Sequence, residues 1–212
     1  KLVIINFPHN PTGYLPTREA WDRIVATVAG RGITLFSDEM YRWLEYDEAQ
    51  TLPSACEVYE RAVTLGGVSK SLGLPGLRIG WLASRDRNLL RCAGEIKDYT
   101  TICNSAPGEV LALIGLRARD WLIGRNVAVV LANLREAEKH FGHRRTKYEW
   151  LPPLAGPVAF PRWIGGGSTQ AWADATVRER GVMIAPGELF DMPGHFRVGL
   201  GRRGFRAALQ AL

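Results

Sequence analysis

Apolar and polar positions fall into blocks whose period changes along the chain. Leu2-Val3-Ile4-Ile5 is a continuous apolar run, the pattern of a strand buried on both faces. The next stretch, residues 6–13, is dense in turn formers. Thr17 then predicts the cap of a helix whose apolar face is Trp21, Ile24, Val25 and Val28, ended by Gly30 and Gly32. Ile33-Thr34-Leu35-Phe36, Arg61-Ala62-Val63-Thr64-Leu65 and the run from Arg78 to Ala83 read as three further strands. Strands alternating with helix and short loops predict an α/β fold with a mainly parallel sheet flanked by helices. Ligands of such sheets bind beyond the carboxyl ends of the strands. Asn10, Asp38 and Lys70 each follow one of these ends and are expected to converge there.

From Asp86 the period becomes helical, with Leu89, Leu90, Ala93 and Ile96 on one face. Tyr99 to Ser105 reads as a polar connector. Ser105 predicts a second cap, followed by Ala106 and Pro107, and the helical pattern runs to about His140 with breaks near Gly115 and Gly124. A smaller α+β unit follows. Its predicted strands are Val158-Ala159-Phe160, Val182-Met183-Ile184-Ala185 and the run from Phe196 to Leu200; Ser168 caps a helix to about Arg180, and the tail from Phe205 is helical. The expected organisation is a sheet-bearing part at 1–118, a connecting helix at 119–141 and a small C-terminal domain at 142–212.

Composition adds bounds rather than a function. The 212 residues are 46% hydrophobic and 23% charged, the balance of a globular chain, and no apolar run approaches a membrane helix. The first residues read as a strand rather than a signal peptide, and three scattered cysteines argue for a reducing, cytoplasmic setting. The chain begins inside an element, without methionine, as a piece of a longer protein would. The net charge of +6 concentrates at residues 143–147 and at Arg202, Arg203 and Arg206. No nucleic-acid module accompanies it, so the charge reads as a solvated face; a positive field would also serve a small anionic ligand.

The chemistry centres on Gly66-Gly67-Val68-Ser69-Lys70-Ser71, with Arg78 eight residues beyond the lysine. Small residues let a flat ligand approach the backbone. Lysine forms Schiff bases with aldehydes when its amine loses a proton, which calls for burial or a nearby cation. Arg78 offers that cation, and a fork for phosphate. Asn10 lies in an Asn-Pro-Thr-Gly turn, where its amide either closes the turn or donates to a ligand oxygen. Asp38 caps the next helix or, if buried, needs a partner such as a protonated pyridine nitrogen; Tyr41 would share its helical face. Arg197, within an apolar strand, snorkels or awaits a carboxylate. Gly199 to Gly204 matches a dinucleotide fingerprint, but no βαβ unit or acidic residue follows it. The 66–71 stretch lacks the glycines of a P-loop, and the cysteines and histidines show no zinc spacing.

Taken in order, Asn-Pro-Thr-Gly, Asp-x-x-Tyr, Ser-Lys, Pro-Gly-x-Arg-x-Gly and a late strand arginine resemble the class I/II family of pyridoxal-phosphate-dependent aminotransferases, of fold type I. The resemblance covers nearly the whole chain but only the second half of a family member. It implies that Lys70 is the Schiff-base lysine and proton carrier, and that Asp38 partners the pyridine nitrogen. It further implies Tyr41 and Asn10 at the phenolic oxygen, Ser69 and Arg78 at the phosphate, and Arg197, with Asn10, at the substrate carboxylate. A cis Asn10–Pro11 bond is expected with it. Amino-acid and 2-oxo-acid substrates and a homodimer are implied for the full-length protein, with no metal, nucleic acid or membrane. Where many members carry serine or threonine three residues before the lysine, this chain has Gly67. The family's glycine loop, ring-stacking aromatic and much of its dimer interface have no counterpart here, so weak or no cofactor binding by this chain alone is expected.

The stretch from Lys97 to Pro107 is similar to a subgroup containing capreomycidine synthase, which eliminates and cyclises rather than transaminates. A cyclase or lyase of the same cofactor is therefore the alternative activity. A non-catalytic remnant serving as an interaction module is the third reading.

Overall fold

The structure is a computed structural model that describes residues 1–144 and 146–212; Arg145, inside the basic run, lies outside the described residues. The chain forms two compact units, Lys1–Pro8 with Leu15–Asn126, and His9–Tyr14 with Val127–Leu212.

The first unit is built on β1 (Leu2–Asn6), α1 (Arg18–Gly30), β2 (Thr34–Asp38), the single-turn α2 (Ala55–Val58), β3 (Ala62–Gly67) and β4 (Gly80–Ser84). The sheet order is β1-β2-β3-β4. The first three strands are parallel and β4 closes the edge antiparallel to β3, which gives the mainly parallel α/β sheet expected from the pattern. Thr17 caps α1 by accepting the Ala20 N–H at 3.2 Å, and Trp21 and Val28 are the residues the helix buries. Leu35 of β2 is fully buried, a contribution of about 1.5–3 kcal/mol.

β1 differs from expectation. Leu2 is 57% and Ile4 67% exposed, so one face of this edge strand is open. A continuous apolar run shows that both faces tolerate burial, not that this chain covers both.

α3 (Arg87–Thr100) is capped by Asp86, which accepts the Leu89 N–H at 2.9 Å, but buries none of its residues fully; Ile96 is exposed. The helix continues through the first part of the expected connector. α4 (Ala106–Arg117) starts at the Ser105 cap, and α5 (Arg119–His143) follows after Ala118. The break thus falls at Ala118 rather than at Gly115 or Gly124. Gly115 is small for packing: a Cβ there would stand 2.7 Å from Leu74. Val68, Leu72, Ala112 and Leu122 form a buried cluster, with Trp81 and Trp43 packed against it.

The division between the units runs within α5. The second unit adds β5 (Tyr148–Glu149), β6 (Val158–Ala159), β7 (Arg162–Trp163), α6 (Thr169–Arg180), β8 (Ala185–Pro186), β9 (Phe196–Gly199) and α7 (Phe205–Gln210). Its strands form two small antiparallel sheets, β5-β7 and β6-β9-β8. The strand expected at 182–185 shrinks to Ala185–Pro186, and the two-residue β5 and β7 are too short to leave a period in the sequence. Phe141, Tyr148 and Phe196 are buried together as an aromatic core, and Trp163 stacks on Trp172 at 4.4 Å.

Candidate active site

Asp38 ends β2 between two parallel neighbours, in register with Asn6 of β1 and Leu65 of β3. Its carbonyl accepts the Asn6 side-chain amide at 3.0 Å and the Phe7 N–H at 3.2 Å, while the next N–H, from Glu39, reaches Leu65 O at 2.9 Å. The backbone is therefore fixed from both sides. The half-buried carboxylate accepts the Met40 N–H on Oδ1 at 3.0 Å; Oδ2 takes no hydrogen bond among the described residues. Asp38 thus caps the turn that follows it and keeps one oxygen for a donor. Tyr41 is buried three residues on.

Lys70 follows β3, the strand beside Asp38. The loop from 67 to 74 closes on itself. Val68 N–H donates to Ile79 O at 3.2 Å, Gly73 N–H to Lys70 O at 3.0 Å and Leu74 N–H to Val68 O at 3.1 Å. Asn126 adds an amide to Ser71 O at 2.8 Å. Val68, Ser71 and Leu72 are buried, Ser69 is half-buried and Lys70 is exposed. Burial, which the sequence reading offered as one route to a reactive lysine, is therefore not what this chain supplies. The loop holds the lysine's backbone while its side chain stands in solvent.

The glycines before the lysine serve the protein's own packing. A Cβ on Gly66 would meet the Trp81 indole at 2.6 Å, and one on Gly67 would meet Ile79 O at 3.1 Å and Met40 Cε at 3.2 Å. Gly67 faces Gly80 across the β3–β4 pair, so the space a side chain would need at this position is taken up by a close strand approach. Arg78 is exposed and left-handed, with φ 55°, at the end of a 3-10 turn over Pro75–Leu77. Among the described residues its guanidinium donates only within its own turn, to Pro75 O at 3.4 Å. Lys70 and Arg78 therefore bring two cations to this region without a carboxylate partner among the described residues.

Asn10 and Arg197 belong to the second unit. The Asn10–Pro11 bond is cis, as expected, and so is Phe7–Pro8. Arg197, in β9, donates from Nη1 to Asn10 Oδ1 at 2.9 Å and lies 5.0 Å from the Phe190 ring centroid. Its half-buried guanidinium pairs with no carboxylate among the described residues, so it retains donors for an external one. His9 closes its own turn, with Nδ1 2.8 Å from Thr12 Oγ1, and burial lowers its pKa.

Two contributors were missed from sequence. Phe190, under Arg197, comes from a 3-10 turn over Gly187–Phe190 with no local signal. Glu39 is buried beside Asp38; its Oε1 accepts the Ala55 N–H at 2.9 Å, and Arg42 Nη1 lies 3.6 Å from Oε2. An acid directly after Asp38 was visible, but its partners, Arg42, Ala55 and Thr64, are 3 to 25 residues away.

A carboxylate at the end of β2, a lysine three residues past the neighbouring parallel β3 and an arginine on the return to β4 are the kinds of donor that a vitamin B6 cofactor calls for. The family model described as "Aminotransferase class I and II" matches residues 1–204, and the chain belongs to that family. Capreomycidine synthase of Streptomyces vinaceus is 27% identical over 199 residues, covering 94% of this chain and 51% of the relative. The L-aspartate:5-guanidino-3-methyl-2-oxopentanoate transaminase of Pseudomonas syringae pv. syringae is 31% identical over 188 residues, covering 87% and 47%. The crystal structure of the PLP-dependent cyclase OrfR superposes with a TM-score of 0.91 at 29% identity, covering 99% of this chain and 57% of that one. The chain spans about half the length of these relatives. Members of the family are pyridoxal-phosphate enzymes. The donor set fits that cofactor: an amine for an aldehyde, an open carboxylate oxygen for a ring N–H, and a hydroxyl and uncompensated guanidinium for a phosphate.

Proposed function

We propose that Lys70 is the catalytic amine of a pyridoxal-phosphate-dependent aminotransferase, which moves an amino group from an amino acid to a 2-oxo acid. The observation that carries this is the parallel pairing of β2 and β3, with Asp38 the last residue of β2 and Lys70 three residues past the end of β3. When bound, the cofactor supplies an aldehyde electrophile and a protonated ring that withdraws electrons. Lys70 would offer the amine to it and would carry a proton to and from the substrate α-carbon. Asp38 Oδ2 would accept the pyridine N–H and keep that proton in place. Tyr41 and Asn10 would donate to the phenolic oxygen. The Ser69 hydroxyl and Arg78 would hold the phosphate. Arg197 forks onto the substrate carboxylate, with Asn10 and Phe190 fixing its plane. In this reading 1–118 belongs to the cofactor-binding domain, 119–141 connects, and 142–212 is the small domain of a cytoplasmic homodimer.

A cyclase using the same residues is the second reading, favoured by the similarity to capreomycidine synthase and OrfR. Both readings are tested on a protein carrying this sequence, loaded with pyridoxal phosphate and offered a panel that includes guanidino amino acids. Release of a 2-oxo acid with amination of an acceptor supports transamination; a product that keeps its nitrogen supports cyclisation. Borohydride trapping is expected to leave the cofactor's mass on Lys70. If Lys70→Ala still turns over, the assignment of the amine is wrong.

A further inference from the structure

Two basic runs that stand about 60 residues apart in sequence meet in the second unit. The C-terminal end of α5 supplies Lys139, His140 and His143, Arg144 follows it, and α7 supplies Arg206; with Glu136 they line a cleft of about 260 Å³. We propose that this cleft binds a small phosphate-type oxyanion.

The charge balance is the first argument. Among the described residues, three fixed cations face one carboxylate, a surplus of two with both histidines neutral. The carbonyl end of α5 offsets only about half a charge. The pairings to Glu136 are loose, 3.4 Å from Lys139 and 3.5 Å from Arg206, and exposed pairs of this kind are weak. Each cation is free to turn to a better anion.

Geometry is the second argument. Among the described residues, the Arg144 side chain hydrogen-bonds only to His140, with Nη1 3.3 Å from Nε2. That contact leaves most of the guanidinium fork unused, and a fork suits the edge of a tetrahedral oxyanion. The cleft volume lies just below the range of about 300–1,000 Å³ for drug-sized ligands, which favours a compact anion. This site is separate in sequence from the residues assigned to catalysis and does not rest on that assignment.

His140 is a built-in reporter. Its ring lies 5.0 Å from that of Phe141 and 6.0 Å from that of Tyr148. Glu136, Lys139, His143 and Arg144 face it from α5 and the residue beyond, Tyr148 from β5, and Arg206 from α7. Burial first, and Arg144 second, push its pKa down to about 4. A bound anion offsets Arg144 and moves that value upward.

The test follows the His140 ring resonances of the purified protein while inorganic pyrophosphate is added at constant ionic strength. Saturable binding is expected, with a raised His140 pKa. Arg144→Gln and Arg206→Gln should each weaken it about tenfold. Glu136→Gln, which removes the competing carboxylate, should tighten it about twofold. These side chains lie on the surface, and unchanged unfolding midpoints verify that the arginine variants fold. A shift that grows linearly without saturating, or binding indifferent to both arginines, overturns the site. Failure of pyrophosphate alongside tight, salt-sensitive binding of a single-stranded oligonucleotide overturns the small-anion reading in favour of a nucleic-acid backbone.

Discussion

Asn133 ties the middle of α5 to the chain leaving β9. Its side chain is 8% exposed, and its amide donates to Leu200 O at 2.6 Å and to Arg202 O at 2.7 Å. Asn133→Ala removes both bonds. The Leu200 carbonyl is buried, so losing its donor costs about 1–3 kcal/mol. The Arg202 carbonyl is only partly buried and recovers water, so about 0.5–1.5 kcal/mol is lost there. Alanine returns about 0.5 kcal/mol of helix propensity. The net is a destabilisation of about 1–4 kcal/mol, at roughly 2–4 °C in Tm per kcal/mol for a chain of this length. Asn133→Asp is the sharper probe. A carboxylate has no donor, and it would face two carbonyl oxygens within hydrogen-bond distance. At neutral pH it should be less stable than Asn133→Ala. Its folded-state pKa must rise above the unfolded value, so its stability should recover as pH falls. Urea unfolding followed by the fluorescence of Trp163 and Trp172, in the same unit, reads both variants. An Asn133→Ala midpoint within about 0.5 kcal/mol of wild type would refute the reasoning, since that is the scatter of neutral surface changes. So would an aspartate variant more stable than the alanine one at pH 7.

Gly66→Ala drives a methyl into the Trp81 indole, 2.6 Å from Nε1, and should cost about 1–3 kcal/mol in thermal denaturation. His140 has a folded pKa of about 4 against 6.5, so the unfolded chain binds the extra proton; stability is complete above pH 6.5 and declines as pH falls towards 4. The shift sets a ceiling of about 3 kcal/mol, and solvent screening of this partly open ring brings it to about 1–2 kcal/mol. Arg144→Gln should raise the His140 pKa only part of the way, because burial is the larger cause; an NMR titration of the ring checks it. Arg197→Lys keeps the charge but loses the fork, and should raise KM for amino acids about tenfold or more while the cofactor's absorbance on the loaded protein stays unchanged; an unchanged KM would remove Arg197 from the substrate site.

Local signals were legible where local chemistry decides. Thr17, Asp86, Ser105 and Ser168 each accept the N–H three residues on, and each begins the helix that its sequence announces. Glycine was the ambiguous letter. Gly30 ends α1 as read, whereas Gly115 sits inside α4 because Leu74 packs where its side chain would be. No one-dimensional pattern separates those two uses. The open face of β1 has the same origin, since an apolar run records what a strand tolerates and not what covers it. In the candidate site, the placement of Asp38 and Lys70 at the ends of neighbouring strands was readable because strand ends are sequential properties. Glu39 and Phe190 were not, because each acts through contacts that only folding creates.

The lysine loop shows how these two kinds of information combine. Read alone, Gly66, Gly67 and Gly80 suggest room for a ligand. In the fold that room is filled, by Trp81 at Gly66 and by the opposing strand at Gly67. The close approach draws β4 onto β3 and lets Trp81 pack against Val68 and Leu72, which lie two residues on either side of Lys70. Burial of those two flanking side chains, rather than of the lysine, fixes the loop. The backbone of Lys70 is thereby placed from both sides while its side chain stays exposed, and Gly66, by making room for Trp81, contributes to that placement from outside the loop.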